Sequence, residues 1–145
     1  MSVNRTSAAY LLCCVFLTAC APTGEADYGK GMDAFSEKRF SDAGQYLQKS
    51  ADAGHLLGMA TLASMLLKGQ GVARNPNRAA EWFEKAANQG HVDSQAILGL
   101  LYFNGIGVAP DTAKVRFWLM KAAGQGDKQS AWVLDNLVER GVMRL

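Results

Sequence analysis

The chain has no cysteine after Cys20. Residues 21–145 therefore hold no thiol for an intrachain disulfide or a thiolate metal site, and a fold in this stretch stands on packing alone. Histidine is nearly as scarce, with His55 and His91 alone, and no G-x-S-x-G nucleophile motif occurs. Three prolines in 145 residues leave room for long helices. Neither sign of charge dominates, since 15 Lys+Arg against 13 Asp+Glu leave a formal +2. The basic face that a nucleic-acid-binding domain usually shows is missing. The longest apolar run, residues 8–19, falls short of the roughly 20 residues needed to cross a bilayer as a helix. About half of the chain is hydrophobic, with 49% apolar residues, which suits one globular domain and excludes a disordered one.

The short apolar run has a meaning of its own. Arg5 precedes it, it carries no charge, and it ends in Leu17-Thr18-Ala19-Cys20. A basic residue followed by a 7–15-residue apolar stretch describes an export leader. The four closing residues resemble the lipobox of bacterial lipoproteins, in which the cysteine is acylated and becomes the first residue of the mature chain. The resemblance implies lipidation of Cys20, as by palmitate, and two or three acyl chains hold a small protein on a membrane at about 0.8 kcal/mol per buried methylene. An ordinary secretory leader ending in cysteine, or a buried N-terminal helix, is the alternative that the residues leave open. Ala21 follows the cysteine where an aspartate would resemble the inner-membrane retention signal, which favours an outer-membrane lipoprotein facing the periplasm. The expected organisation is a signal peptide at 1–19, a lipidated cysteine and short linker at 20–26, and one repeat domain at 27–145.

That domain announces itself by a period of 36 residues. Gln48-Lys49-Ser50-Ala51 leads to Gly54, Glu84-Lys85-Ala86-Ala87 to Gly90, and Met120-Lys121-Ala122-Ala123 to Gly126. Leu62, Leu98 and Leu134 keep the same spacing, and Gly69-Gln70-Gly71-Val72-Ala73 is matched by Gly105-Ile106-Gly107-Val108-Ala109. Within a unit, Ala79, Trp82, Phe83, Ala86 and Ala87 fall at i, i+3, i+4, i+7 and i+8, one apolar stripe of a helix that needs a neighbour. Asn75-Pro76 supplies an N-cap and a first-turn proline, and Gly90 supplies the stop. The second helix of this pair spans about 92–104. Residues 28–40 read as half a unit that packs on a helix over 41–53, and 128–140 read as a terminal helix whose Lys128, Gln129, Asp135, Asn136, Glu139 and Arg140 face water.

These residues resemble the Sel1-like repeat family, in which W-[YF]-x-K-A-A-x-x-G-[HD] is followed by A-x-x-x-L-G-x-x-Y and a G-x-G-V loop. The stretch from Trp82 to Val108 matches nearly every position, and the likeness covers roughly 43–137. The resemblance implies an all-α fold, a right-handed α-solenoid of about three helix-pair repeats similar to tetratricopeptide units, closed by a C-terminal capping helix. It also implies an adaptor for protein assemblies. Ala63 and Asp135 stand where Gly99 sits in the middle unit, and the third unit lacks the glycine loop. Some secreted members bridge paired helices by disulfides and a few were associated with β-lactams, but no cysteine pair follows Cys20 to carry either property over.

Chemistry finds little support in the same residues. A lone G-x-G without a preceding strand is weak as a phosphate loop. His55 and His91, 36 apart, occupy equivalent corners as polar helix starts, with no converging ligands for a metal. Glu81, Glu84, Asp93 and Asp111 are scattered over helix starts and polar faces. No catalytic residue, metal or cofactor is expected, and no enzyme activity. The solenoid instead predicts a groove. By similarity to tetratricopeptide units, Ser64, Leu67 and Lys68, then Asp93, Leu100, Phe103 and Asn104, then Trp132, Asn136 and Glu139 point into it, with Phe103 and Trp132 as aromatic anchors. The expected function is an envelope-anchored adaptor or scaffold that binds protein partners and no nucleic acid, held to the membrane by its N-terminal lipid. The alternatives are a periplasmic immunity protein that neutralises a secreted toxin such as a lipase, and an envelope enzyme or ligand-binding module.

Overall fold

A computed structural model describes residues 23–142. The leader and Cys20 lie outside the described residues, so the expectations placed on them are carried forward as such. Seven helices and no strand occur among the described residues: α1 (Thr23–Ser36), α2 (Phe40–Asp52), α3 (Leu56–Lys68), α4 (Pro76–Asn88), α5 (Val92–Asn104), α6 (Thr112–Gly124) and α7 (Lys128–Glu139). None is long and apolar enough to cross a membrane. Helices α2 to α6 each have 13 residues. Short connectors at 53–55, 89–91 and 125–127 alternate with longer ones at 69–75 and 105–111, which together make the 36-residue period.

Each unit is a first helix packed on a second: α1 on α2, α3 on α4, α5 on α6. The stripe on α4 behaves as its spacing demands, with Ala79, Trp82, Phe83, Ala86 and Ala87 all buried. The fit within a unit is large against small. A Cβ built on Gly31 would stand 2.8 Å from Leu47 Cγ, and one built on Gly99 would stand 2.8 Å from Leu119 Cγ. Ala63 and Phe83 hold these positions in the middle unit, and both are buried. Unit by unit these contacts join into one core running from Ala34 to Leu137. The result is an all-α solenoid.

The first unit departs from the period. Its helices are joined by 37–39 alone, four residues shorter than the other hairpin connectors, so Gly31 falls into the place of Ala63 and Gly99. α1 also begins earlier and ends sooner than the expected 28–40. Lys38 takes a left-handed φ of 60°, its N–H donates to the Phe35 carbonyl at 3.0 Å, and the Arg39 N–H donates to Ala34 at 2.8 Å. Phe35 and Phe40 then meet edge to face across the turn at 5.1 Å. Phe40 therefore opens α2 instead of closing α1. At the far end α7 is the expected terminal helix, with Ser130, Leu134 and Leu137 inward. Its outer face is less polar than expected, because Trp132 is 63% exposed there.

Successive units are tied by the long connectors. Gly107 has φ +72° and lies on the backbone of Pro76 and Asn77, so that a Cβ there would overlap the Pro76 carbonyl; Gly71 lies on Phe40 in the same way. Both requirements, a left-handed residue and no Cβ, point to glycine alone. The loop of one unit is thus seated on the first turn of the preceding unit's second helix. Gly107→Ala should lower stability by about 3 kcal/mol, from the left-handed penalty plus overpacking. Gly90→Ala, left-handed with open space around its Cα, should cost about 1 kcal/mol. Denaturant unfolding of the two variants should rank them in that order, and equal losses would contradict the seating.

Candidate partner-binding groove

The first helices of successive units stand side by side and leave clefts between them. One cleft, about 310 Å³, is walled by Leu57, Ala60, Thr61 and Ser64 of α3 and by Asp93, Ser94 and Ile97 of α5, with Phe83 and His91. The next, about 430 Å³, is walled by Asp93, Ala96, Ile97 and Leu100 of α5 and by Asp127, Gln129, Ser130 and Val133, with Leu119 at the back. Asp93 and Ile97 belong to both, so the two clefts are parts of one groove. The 36-residue period explains its regularity, because positions 57, 93 and 129 and positions 61, 97 and 133 recur along it.

Helix starts dominate its chemistry. The first four N–H groups of a helix have no partner within the helix and need a cap. At α3 the Gly58 N–H donates to His55 Nδ1 at 3.2 Å, and at α5 the Ser94 N–H donates to His91 Nδ1 at 3.2 Å. The acceptor role of Nδ1 puts the ring proton on Nε2, and the Ser94 hydroxyl, 2.8 Å away, also donates to Nδ1. Both histidines are caps, in line with their expected place at helix starts. Asp127 does the same work at α7, accepting from Gln129 and Ser130 N–H at 3.4 and 2.9 Å. The neighbouring Ser130 side chain, opposed by partial burial and aided by those two N–H groups, holds the Asp127 carboxyl below the usual carboxylate range. The Ser130 hydroxyl is buried beside that carboxylate and acts on it by proximity, short of full hydrogen-bond geometry, so the backbone N–H groups are the firm part of the cap.

The groove therefore has an apolar floor of Ile97, Leu100 and Val133, carries the carboxylates of Asp93 and Asp127, and has no lysine or arginine on its two walls. Such a surface suits a segment that brings apolar side chains together with N–H donors or a cation. No group of three or more His, Cys, Asp or Glu is gathered as a metal site among the described residues. Buried polar groups behind it are tied down: Gln95 donates to the Ala87 carbonyl at 3.0 Å and accepts from Gln125 at 2.7 Å.

Of the residues expected in the groove, Ser64, Asp93 and Leu100 line it. Leu67 is half-buried against the core and Lys68 is exposed at the end of α3. Phe103 lines a separate pocket of about 170 Å³ with Tyr102, Pro110 and Val142. Asn104 is exposed and donates to the Leu100 carbonyl at 2.9 Å. Trp132 and Glu139 are exposed and Asn136 is half-buried, all outside the two clefts. The clefts run about a turn nearer the helix starts than these positions. Leu57, Ala60, Thr61, Ala96, Ile97 and Val133 are not among the residues that the sequence places in the groove. Their signal was the period itself, applied to the opening turns of α3, α5 and α7 instead of to the largest side chains.

A model of the Sel1 repeat matches residues 27–55, 56–91 and 92–127, most of the chain. The chain belongs to the Sel1 repeat family. Each matched Sel1 repeat is one helix pair with its short connector, and α7 follows the last. The first takes in the segment that the 36-residue period reads as half a unit. Among solved structures the chain is similar to c5321, described as a protective antigen present in uropathogenic Escherichia coli strains and displaying an SLR fold, at 29% identity and a TM-score of 0.78 over 87% of this chain. It is similar to a Sel1 repeat protein from Oxalobacter formigenes at 36% identity and a TM-score of 0.65 over 67% of this chain. Cysteine rich protein B of Helicobacter pylori shares the fold at 24% identity and a TM-score of 0.60, over 63% of this chain and 68% of its own length. The chain spans 28% of the length of each of the first two. No match was found among curated proteins. Sel1 repeats form non-catalytic scaffolds and generally mediate protein–protein interactions.

Losing a cap should cost about 1 kcal/mol. His91→Ala should destabilise by that amount, while His91→Asp, which copies the Asp127 cap, should keep wild-type stability in a thermal melt at neutral pH. Asp127, with its folded pKa lowered, adds stability that is complete above the unfolded carboxylate range and is lost as pH falls through the lower folded value. Asp127→Asn should accordingly flatten the acid limb of a stability-against-pH curve, and an unchanged limb would contradict this assignment.

Proposed function

We propose that this protein is an envelope lipoprotein, anchored through lipid on Cys20, whose Sel1 groove binds a protein partner and acts as an adaptor or scaffold. The observation that carries the binding reading is the groove shared by α3, α5 and α7, apolar at Ile97, Leu100 and Val133 and acidic at Asp93 and Asp127. Anchoring rests on the leader, the lipobox-like Leu17-Thr18-Ala19-Cys20 and the absence of aspartate after it, which together favour the outer membrane. The groove takes a segment of its partner lengthwise, with apolar side chains on Ile97 and Leu100 and a donor or cation at Asp93. Interface energy concentrates in a few such central contacts.

Two measurements test the two halves. In a Gram-negative host, labelled palmitate should enter the full chain and be lost in Cys20→Ala; label that survives the substitution would remove the anchor. Affinity capture from an envelope extract should recover a partner with the full chain and lose it with Ile97→Asp and with Asp93→Lys, by about tenfold or more in yield. A partner retained by both variants would place binding elsewhere. A resident envelope component among the captured proteins supports the scaffold, and a secreted toxin would assign the immunity role instead.

A further inference from the structure

The helix starts along the groove are capped by different chemistry. One position of the 36-residue period holds His55, His91 and Asp127 in turn. His91 Nδ1 accepts from the Ser94 N–H at 3.2 Å and engages the Ser94 hydroxyl at 2.8 Å. Asp127 accepts from the Ser130 and Gln129 N–H groups at 2.9 and 3.4 Å. Both residues close a helix start, but the carboxylate also brings a negative charge and keeps acceptor capacity to spare, since its two oxygens offer about four lone-pair sites. The exchange separates the two clefts. His91 lines the one between α3 and α5, and Asp127 the one between α5 and α7. Ser130, only 2% exposed, lines the second cleft too, and its hydroxyl, unlike that of Ser94, has no full hydrogen-bond partner among the described residues.

A count of charges gives the same division. Each helix start carries about half a positive charge. In the first cleft the starts of α3 and α5 meet one carboxylate, Asp93, and the balance is about zero. In the second the starts of α5 and α7 meet Asp93 and Asp127, which leaves about one net negative charge. Lys128 follows Asp127 in the chain but is exposed and on neither wall, and no ion pair holds Asp93 or Asp127 among the described residues. Apolar surface accompanies the charge. Leu100, 38% exposed, shares the second cleft with Ile97 and Val133. A long aliphatic stem that ends in a cation covers such surface and brings its head to the carboxylates. The first cleft offers Leu57, 44% exposed, with Ala60 and Ile97, and suits an uncharged apolar side chain.

We propose that the second cleft is a subsite for a lysine or arginine side chain of the protein partner and the first a subsite for an uncharged apolar one. The proposal rests on the groove as the binding surface and adds the chemistry of the partner segment and the direction in which it lies. In amide NMR spectra of the isotope-labelled full chain in a mild non-ionic detergent, Nα-acetyl-lysine amide or Nα-acetyl-arginine amide should shift Asp93, Gln129 and Ser130 saturably at concentrations on the order of 10 mM. Nα-acetyl-norleucine amide, with a similar stem and no charge, should bind there about threefold or more weakly. Exchanging the caps should move the subsite. Asp127→His, which copies the His91 cap, should lose the basic probes with helical circular dichroism unchanged, and His91→Asp should gain them at Thr61 and Ser94. The gain at His91→Asp decides the matter if Asp127→His fails to fold. Basic probes that shift no amide of the second cleft, or that shift the same amides in Asp127→His, overturn the proposal. Calcium that binds there more tightly than the basic probes overturns it in favour of a metal site. A captured partner that is lost with Ile97→Asp but kept by Asp127→His overturns the subsite and leaves the groove standing, whereas one kept by both Ile97→Asp and Asp93→Lys removes the groove with it.

Discussion

The architecture depends on one repeated contact, a large apolar side chain of each second helix set against a small residue of its first. Leu47 against Gly31 and Leu119 against Gly99 leave no room for a Cβ between the paired helices. With no thiol after Cys20, no covalent link can replace that fit. Packing also explains why stability here is quasi-one-dimensional: a unit buries its stripe on its neighbours alone, so no pair stands without the next. The glycine loops at 71 and 107 then fix the rotation between units by resting on the preceding second helix. That rotation is what lines up α3, α5 and α7 and leaves a groove between them.

The caps connect this scaffold to its surface chemistry. His55, His91 and Asp127 each satisfy an N–H at the start of a first helix, and these starts border the groove. Satisfying the helix ends with two imidazole nitrogens and one carboxylate, in clefts that carry no lysine or arginine, leaves the groove acidic over an apolar floor. On the second helices, away from these clefts, Lys85 lies 3.9 Å over the Trp82 ring and Lys121 lies near Phe117 and Trp118.

Much of this was legible in the residues. The period, the stripe on α4, the Asn75-Pro76 start and the stop at Gly90 follow from local rules that tertiary packing reinforced. The first unit was harder, because its hairpin is four residues shorter and a fixed 36-residue comparison cannot align Gly31 with Gly99; the left-handed Lys38 that makes the short turn has no propensity signature. The groove was legible as an architecture and only partly as residues. Ser64, Asp93 and Leu100 share its walls, but which turn of a helix borders a cleft depends on rotation between units, and the seating of Gly71 on Phe40 and Gly107 on Pro76 sets that rotation. A contact between backbones more than 30 residues apart has no local trace.

The central claim is that a protein occupies the groove. A photo-crosslinking amino acid placed at Ile97 of the full chain, in living cells, tests it most directly, with the same group at the exposed Glu81 as the control. The account predicts a discrete higher-mass adduct with another protein from position 97 and none from position 81. No adduct at 97, or the same adduct from both positions, would contradict it.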